Sequence, residues 1–272
     1  MPDSRVVLLT GAAGGIGRVM TQALLADGHR VAAVDRDARG LEALKTLPGA
    51  SERLHTITAD LGTQEGCRRA IEAAHGRFGD IEALVNNAGI GMSSVRPDAE
   101  ARHPGIEELP LDVFDRFFAI FMRAPAALTY AVVPMMKRRG FGRIVNNTTS
   151  YVTMLRVLPY GAAKAALESM SAVWAKELDG SPITVNVLIP GGPTDTPLIS
   201  DASGWDRKKM LRPQIMGAPL RWLISDAAAS FNGRRITAAR WDTGLPAAEA
   251  AQRASRPIGW PELSGDAVWL TG

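Results

Sequence analysis

Short, uniformly apolar runs alternate with longer helical patterns along most of this chain, and that alternation constrains the fold more than any other feature. Seven apolar runs are present, at residues 6–10, 31–35, 54–60, 83–87, 143–147, 184–189 and 235–239. Runs without polar alternation are typical of strands buried on both faces of a parallel sheet. Helical patterns lie between them, at residues 16–27, 38–47, 64–76, 111–139, 160–178 and 219–225. The sequence therefore predicts an α/β fold, a doubly wound parallel sheet of about seven strands with helices on both faces.

The length and composition predict one globular domain over residues 1–272. The chain has 272 residues, 46% of them apolar and 22% charged, which is ordinary for a globular protein. Three segments depart from the alternating pattern: an insert near 91–110, a loop near 190–216 that we expect to be mobile, and a C-terminal tail at 246–272. Long loops of this kind tend to carry function or disorder.

The charge pattern argues against nucleic acid and membrane partners. Lys and Arg number 31 and Asp and Glu 28, a net charge of +3, and the basic clusters at 137–139, 207–209 and 234–235 are short and scattered. A polyanion usually needs a continuous basic stripe, so solvated surface and helix ends are the favoured interpretation. The first residues do not resemble a secretion signal, and Arg116, Arg123 and Pro125 interrupt the most apolar stretch. We expect a cytoplasmic protein.

Cysteine and histidine usage predicts neither a disulfide nor a metal site. Cys67 is the single cysteine, so no intramolecular disulfide can form. The four histidines, His29, His55, His75 and His103, lie at least 20 residues apart and form no local metal-binding pair.

A glycine-rich loop follows the first apolar run and predicts a dinucleotide site. Residues 10–17 read TGAAGGIG, so Gly11, Gly15, Ile16 and Gly17 lie where a strand turns into a helix. Glycine lets the backbone approach a ligand closely, and the free N–H groups of a helix N-terminus favour an anion such as a pyrophosphate. Glycine turns also serve to pack a helix on a strand, which is the alternative.

Asp35 predicts which nicotinamide nucleotide is bound. It ends the second apolar run, 18 residues after Gly17, near the spacing at which an acid binds a ribose 2′-hydroxyl. A carboxylate there repels the 2′-phosphate of NADP, although Arg36 could partly offset this. No Lys or Arg lies inside the glycine loop. We therefore predict NAD, with NADP less favoured; an ordinary strand-end acid is the alternative.

Several motifs, in this order and at these spacings, resemble those of the short-chain dehydrogenase/reductase family, in its single-domain branch. The resemblance covers about residues 5–245 and includes the glycine loop. The further matching motifs are Asp60-Leu61, Asn86-Asn87-Ala88-Gly89, Tyr160-x-x-x-Lys164 and Pro190-Gly191. The resemblance implies a Rossmann fold and an NAD(P)-dependent oxidoreductase that transfers a hydride between nicotinamide and a secondary alcohol or ketone.

The resemblance also implies further cofactor contacts. Asp60, next to Leu61, would contact the adenine, and Lys164 would hold the nicotinamide ribose. The nicotinamide-side loop follows Pro190-Gly191, where Pro193 has no N–H to donate, so that contact would pass to Thr194, with Thr196 on the phosphate side. The residues implied from the motif after the fourth run are Asn87, Ala88 and Gly89.

Tyr160 and Lys164 have the spacing of an acid–base pair. Four residues apart, they share one face of a helix. A tyrosine pKa near ~10 is too high for a base at neutral pH, and a cation one turn away favours the phenolate. Tyr160 could then take a proton from the alcohol or return it to the ketone.

Two positions depart from the family pattern. The family's substrate-binding Ser falls on Thr149 when the strand ends are aligned, with Ser150 or Asn147 as alternatives; a Thr hydroxyl can donate the same hydrogen bond. The family's Asn in the long helix, which helps to hold a relay water, is matched by Phe121. We expect a modified but active enzyme; a catalytically impaired NAD-binding sensor or scaffold is the alternative.

The substrate and the assembly are less constrained. The expected pocket walls, at 91–109, 154–159 and 198–216, contain apolar residues and several Arg, so an acidic or aromatic small molecule is possible. The helices at 111–139 and 160–178 have more apolar surface than one sheet face can cover, and in the family they pair across a two-fold axis. We expect a homo-oligomer, a tetramer or a dimer.

Overall fold

Eight strands form one sheet in the computed structural model, which describes residues 4–262. The strands are β1 Val6–Thr10, β2 Arg30–Asp35, β3 Leu54–Thr58, β4 Ala83–Asn86, β5 Gly142–Asn146, β6 Ile183–Ile189, β7 Arg234–Thr237 and β8 Ser255–Pro257. Their order is β3-β2-β1-β4-β5-β6-β7-β8. Neighbours pair in parallel except β7 and β8, which are antiparallel. The chain winds from β1 to one edge and then from β4 to the other, which confirms the predicted doubly wound sheet.

Helices cover both faces of this sheet. They are α1 Gly15–Ala26, α2 Ala38–Leu44, α3 Ala50–Arg53, α4 Gln64–Phe78, α5 Leu111–Phe118, α6 Ala124–Arg139, α7 Tyr151–Met154, α8 Tyr160–Glu177, α9 Gly217–Ile224 and α10 Ala247–Ala254. Alternate residues of β1 enter different cores: Val7 and Leu9 pack with residues of α1 and α9. Val6 and Leu8 pack with residues of α4, α6 and α8. Burial on both faces is why the strand sequences are apolar without alternation.

The helix at Leu111–Arg139 contains a π-helical turn. α5 and α6 are continuous, and the turn Ala119–Arg123 joins them. Such turns occur mostly as single bulges and frequently at functional sites. Here the bulge contains Phe121, so it sets the direction of the side chain at the position where the family has Asn.

By length and mean hydropathy (1.5 over an 18-residue window) the Leu111–Arg139 helix is long and apolar enough to cross a membrane. Arg116, Arg123 and Pro125 were expected to make this stretch too short or too polar to cross a membrane. By these two criteria that expectation is wrong. About 44% of the window is buried within the protein. Leu128, Val132 and Met136 of α6 pack into the core that covers one face of the sheet. Core packing therefore accounts for much of this apolar character.

The predicted tail forms part of the fold. Its residues make α10 and then β8, which adds an eighth strand beside β7 where about seven were predicted. The sequence has no apolar run at β8, because Arg256 and Pro257 are exposed. β8 is an edge strand, where Pro is tolerated. Trp260 packs against Tyr151, with ring centroids 5.7 Å apart. The rest of the tail, with Trp269, lies outside the described residues.

The two predicted loop segments consist of short turns. The insert near 91–110 holds single 3₁₀ turns at Met92–Ser94 and Ile106–Glu108. The loop near 190–216 holds three more, and a β-bridge between Thr194 and Leu211 draws its two ends together. Both segments follow the carboxyl ends of central strands, where ligands of doubly wound folds bind.

Candidate active site

A cleft of about 560 Å³ opens at the carboxyl ends of the central parallel strands. It begins at the switch point between β1 and β4, where the chain direction across the sheet reverses. Most of the predicted site residues line it: Gly11, Gly15, Ile16, Gly17, Asp35, Arg36, Asn87, Gly89, Thr149, Ser150, Tyr160, Lys164, Pro190, Gly191, Thr194 and Thr196. Phe121 and Asn147 also line it. One connected cleft therefore contains both the glycine loop and the Tyr–Lys pair.

The glycine loop fits a pyrophosphate. Gly11 has φ +65°, and a Cβ at Gly17 would lie 1.9 Å from the carbonyl oxygen of Gly11. The N-cap of α1 is Gly14, no side chain of the described residues caps this N-terminus, and its first turn holds no acid. The backbone N–H groups and the helix dipole are thus available to an anion in the cleft.

Thr10 fixes this loop to the neighbouring strand. Its hydroxyl accepts hydrogen bonds from the backbone N–H groups of Asn87 and Ala88, both at 3.0 Å, and donates to the carbonyl of Val85 at 3.2 Å. The side-chain amide of Asn87 donates to the carbonyls of Thr10 and Gly11. One hydroxyl and one amide therefore join the ends of β1 and β4 at the switch point.

Asp35 supports the glycine loop as well as facing the cleft. Its Oδ2 accepts the backbone N–H of Ala13 and its Oδ1 that of Asp37, both at 3.0 Å. The ordinary strand-end role is thus real, but each carboxylate oxygen can accept a further hydrogen bond. An acceptor here suits a ribose hydroxyl and disfavours a phosphate. Arg36, beside it, is exposed on the cleft wall.

Three of the residues expected to contact the cofactor do not line the cleft in the described chain. Asp60 is exposed, and its Oδ1 accepts the backbone N–H of Gly62 at 2.9 Å. Leu61 is buried beside a small separate cavity, which Ala88 also lines. The N–H of Ala88 is held by Thr10. The adenine contact implied for Asp60 therefore stays a prediction.

Tyr160 and Lys164 lie one turn apart at the start of α8, and desolvation dominates the pKa of each. Burial among protein atoms raises the pKa of Tyr160 to about 12, against the lowering effect of a hydrogen bond with the Thr149 side chain. Burial lowers the pKa of Lys164 to about 7. The ammonium nitrogen lies 5.9 Å from the centre of the Tyr160 ring. Burial and the Thr149 side chain account for the pKa of Tyr160, so the expected lowering of that pKa by the lysine is not found in the protein alone.

Phe121 occupies the space beside the lysine. Its ring lies 4.3 Å from Nζ of Lys164, and its edge meets the Tyr160 ring with centroids 5.3 Å apart and planes at 85°. Gly89 makes room for it, because a Cβ there would lie 2.7 Å from the ring. Lys164 donates instead to the backbone carbonyl of Asn147, at 2.5 Å. An aromatic face thus lies where the family pattern has a water-binding amide.

The structure gives different partners to the three candidates for the substrate-binding hydroxyl position. The Thr149 side chain lies close enough to Tyr160 to lower the pKa of the tyrosine. Ser150 caps α7, where its hydroxyl accepts the N–H of Thr153 at 3.1 Å. The amide of Asn147 donates to Oδ1 of Asn87 at 2.9 Å. Of the three, Thr149 is the one whose side chain affects the pKa of the tyrosine.

A buried ion pair that the sequence analysis did not anticipate holds Thr149 in place. Arg235 of β7 and Glu168 of α8 are 2.8 Å apart and almost wholly buried. Arg235 also donates to the carbonyl of Thr149 at 2.5 Å, and the Thr148 hydroxyl donates to Glu168 at 2.7 Å. The pair therefore binds both residues that follow Asn147.

The same carboxylate reaches the segment after β8. The N–H of Gly259 donates to Oε1 of Glu168 at 3.3 Å, and the Tyr151 hydroxyl donates to the carbonyl of Gly259 at 2.7 Å. A sequence signal for Glu168 existed, since it continues the helical face of Tyr160 and Lys164 at the same spacing of four. Arg235, the charged first residue of an otherwise apolar run, was the matching signal.

Comparison with known proteins shows the family. The protein family described as "short chain dehydrogenase" matches residues 5–206 of the chain. D-threitol dehydrogenase of Mycolicibacterium smegmatis is 32% identical over 248 residues, covering 85% of this chain and 90% of that protein. The chain belongs to the short-chain dehydrogenase/reductase family, a family of oxidoreductases, which confirms the resemblance found in the sequence.

Other relatives differ in substrate. The 1,6-dihydroxycyclohexa-2,4-diene-1-carboxylate dehydrogenase of Pseudomonas putida is 36% identical over 190 residues, which cover 70% of this chain and 67% of that protein. The crystal structure of a 3-ketoacyl-(acyl-carrier-protein) reductase from Brucella melitensis, complexed with NADH, has a TM-score of 0.72 and 26% identity, with coverage of 85% and 94%. Membership thus fixes the reaction class and leaves the substrate open.

The Glu168–Arg235 pair gives a stability prediction. In Glu168→Gln the Arg235 guanidinium stays buried without an anionic partner, which typically costs ~3–5 kcal/mol. The exposed pair Arg253–Glu249 on α10 is the matched control, and Glu249→Gln should cost under ~1 kcal/mol. The free energy of unfolding in urea measures both. Equal losses in the two variants would contradict the central role given to the buried pair.

Proposed function

We propose that the chain is an NAD-dependent dehydrogenase or reductase that interconverts a secondary alcohol and a ketone, with Tyr160 as general acid and base. One observation carries the proposal: Tyr160 and Thr149, whose side chain lowers the pKa of Tyr160, line the same cleft as the glycine loop and Asp35. A proton carrier and a substrate-orienting hydroxyl thus share a cleft with a site for a dinucleotide. The bound cofactor would accept the hydride as NAD⁺ or supply it as NADH.

The chain's own residues bind the cofactor, orient the substrate and move the proton. Backbone N–H groups at the start of α1 bind the pyrophosphate, and Asp35 accepts from a ribose hydroxyl. The Thr149 hydroxyl donates to the substrate oxygen, and the Tyr160 hydroxyl exchanges a proton with that oxygen. A phenol with a pKa of about 12 is protonated at neutral pH, which suits donation during ketone reduction. Alcohol oxidation needs the phenolate and becomes easier as the pH rises.

Phe121 supports a second candidate, a catalytically impaired NAD-binding sensor or scaffold. The ring on Lys164 excludes the water-binding amide of the family pattern, so proton exchange with solvent needs another route. The hydrogen-bond partner of Lys164, the backbone carbonyl of Asn147, accepts a hydrogen bond but has no proton to pass on. NADH formation from secondary alcohols, followed at 340 nm, separates the candidates: tight NAD binding without turnover across a broad panel favours the sensor.

We propose a cytoplasmic homo-oligomer, a dimer or tetramer. The apolar side chains of Leu111 and Tyr130 on the long helix, and of Val173 on α8, are more than half exposed. A second copy of the chain would cover these outer helix faces, which is the pairing that the resemblance implies.

Tyr160→Phe tests the catalytic assignment. The variant keeps the ring and removes the proton carrier, so turnover should fall by at least ~10²–10⁴-fold while NAD affinity stays nearly unchanged. Activity is followed by NADH absorbance, and affinity by quenching of tryptophan fluorescence. Tyr130→Phe, at an exposed tyrosine of α6, is the control and should behave as the parent protein. Full turnover in Tyr160→Phe would refute the assignment.

Thr149→Ala and Ser150→Ala, made separately, test the orienting hydroxyl. Thr149→Ala should lower kcat/KM by more than about tenfold, or roughly 1.4 kcal/mol, because the substrate oxygen loses its donor. Ser150→Ala removes an N-cap, so it should cost ~1 kcal/mol of stability and change kcat/KM only a few-fold. The opposite result in the kinetic comparison would assign the role to Ser150.

Asp35→Asn tests the cofactor preference. The parent protein should bind NAD more tightly than NADP, and the variant should narrow the ratio of the two Kd values about tenfold, or roughly 1.4 kcal/mol, because the repulsion of a 2′-phosphate is lost. Fluorescence titration gives both Kd values. Arg36→Ala is the control of opposite sign and should widen the ratio. Binding of NADP as tight as that of NAD by the parent protein would contradict the preference.

A further inference from the structure

Glu100, in the insert between β4 and α5, lines the cleft and has one carboxylate oxygen without a partner among the described residues. Its side chain is about nine-tenths buried and lines the cleft. Oε1 accepts the backbone N–H of Ser93 at 3.3 Å, whereas Oε2 is buried and bonded to no group of residues 4–262. Leaving a buried charged group unsatisfied costs more than the ~1–3 kcal/mol typical of a neutral one. This oxygen therefore suits a donor that the ligand brings.

The segment that carries Glu100 is fixed to the catalytic end of the cleft. Ala99, the residue before it, is buried in an apolar cluster with Met92, Phe117 and Phe121, and Tyr160 packs against the same cluster. The Met92–Ser94 turn, which supplies the N–H for Oε1, belongs to the same wall. Glu100 is thus placed on the substrate side, together with Tyr160, rather than with the residues expected to bind the pyrophosphate.

Several residues of the insert that line the cleft with Glu100 are uncharged hydrogen-bonding groups. They are Ser93, Ser94 and His103. Nδ1 of His103 lies 3.1 Å from the carbonyl of Ala99, and since a carbonyl only accepts, Nδ1 carries the proton. The hydroxyl groups of Ser93 and Ser94 can each donate and accept, so this part of the wall favours a ligand with several hydroxyl groups.

The arginines that made an acidic substrate plausible do not line the cleft in the described chain. Arg96 pairs with Asp98 and Glu108 of the insert. Arg207 and Arg212 both pair with Asp195. Their charges are met locally, so the acidic and basic side chains of the described residues at this end of the cleft are Glu100 and Lys164. An anionic substrate would meet a carboxylate there, which removes the basis for the earlier expectation.

We propose that Glu100 is a specificity-determining residue that accepts a hydrogen bond from a second hydroxyl of a polyhydroxylated substrate, a polyol or sugar. The proposal rests on the proposed function, since Tyr160 acts on one hydroxyl while Glu100 binds another. A neutral hydroxyl satisfies Oε2 without bringing a charge into the cleft. A carboxylate substrate brings repulsion, and a simple alcohol leaves Oε2 unsatisfied.

A four-carbon series tests this with the reacting group held constant. Each compound carries a secondary hydroxyl: 2-butanol, 2,3-butanediol, butane-1,2,3,4-tetrol, 3-hydroxybutyrate and 3-amino-2-butanol. The parent protein should give the highest kcat/KM with the tetrol. Glu100→Ala should lower that value about 10- to 100-fold, the effect of losing a hydrogen bond to a charged group, and leave 2-butanol within about threefold. Glu100→Gln, which keeps one acceptor, should fall between.

Glu107→Gln is the matched control, an exposed acid of the same insert outside the cleft lining. It should leave the whole series unchanged. Equal losses with tetrol and 2-butanol in Glu100→Ala would show a merely structural role and overturn the proposal. A preference of the parent protein for 3-hydroxybutyrate or 3-amino-2-butanol would overturn it as well, because the substrate class would then be an acid or an amine.

A binding measurement separates this proposal from the proposed function. Trp205 lines the cleft and is partly exposed, so its fluorescence reports on ligands there. With NADH present, the tetrol should bind the parent protein, and Glu100→Ala should weaken that binding about 10- to 100-fold. If no alcohol of the series is oxidised but this difference is found, the proposed function fails and the Glu100 site stands. If the tetrol binds equally to both proteins, or to neither, the Glu100 proposal fails.

Discussion

The buried ion pair of Glu168 and Arg235 is the interaction on which the geometry of the catalytic end depends. A parallel sheet brings the carboxyl ends of its strands together, but the loops that leave those ends need their own anchors. Arg235 on β7 reaches the carbonyl of Thr149, and Glu168 on α8 holds the hydroxyl of Thr148. Both charges are desolvated, so the pair is stable only because each is met by the other and by further hydrogen bonds. The loop after β5 is thereby tied to a helix and a strand.

This anchor also explains why the C-terminal segment matters to the site. The peptide at Gly259 follows β8 and bonds to Glu168 and Tyr151. β8 in turn pairs with β7, the strand that carries Arg235. The eighth strand therefore stabilises the position of the arginine from one side while the peptide after it satisfies the glutamate from the other. The edge of the sheet and the candidate catalytic hydroxyl share one network.

Desolvation around α8 shapes the proton chemistry. Tyr160 and Lys164 both lose solvation, so their pKa values move toward the neutral forms, to about 12 and about 7. Phe121 contributes to this apolar environment, and the carbonyl of Asn147 is the polar group that Lys164 retains. Oδ1 of Asn147 is itself buried and unpartnered among the described residues. That amide oxygen can accept a hydrogen bond from a group outside the chain, such as a water molecule.

Much of this arrangement could be predicted from the sequence, because it follows from periodicity and local spacing. Apolar runs predicted the parallel strands, and the glycine loop predicted the first strand-to-helix turn. A spacing of four predicted that Tyr160 and Lys164 share one face of a helix. β8 could not be predicted, since an exposed edge strand of three residues has no apolar pattern. The π-helical turn at Phe121 could not be predicted either, because a bulge changes the register of a helix without changing its amino-acid composition.

The substrate end was predicted least well, and the reason is electrostatic. Composition counted several arginines in the insert and the later loop, and they suggested a site for an anion. In the fold those arginines form ion pairs with nearby aspartates and glutamates, so their charges are neutralised locally and do not line the cleft. Glu100, the insert carboxylate that is both buried and without an ion pair, could not be singled out in the sequence because acids are common in polar loops. Whether a charge in such a loop binds a ligand depends on its partners, and only the three-dimensional arrangement shows which charge has none.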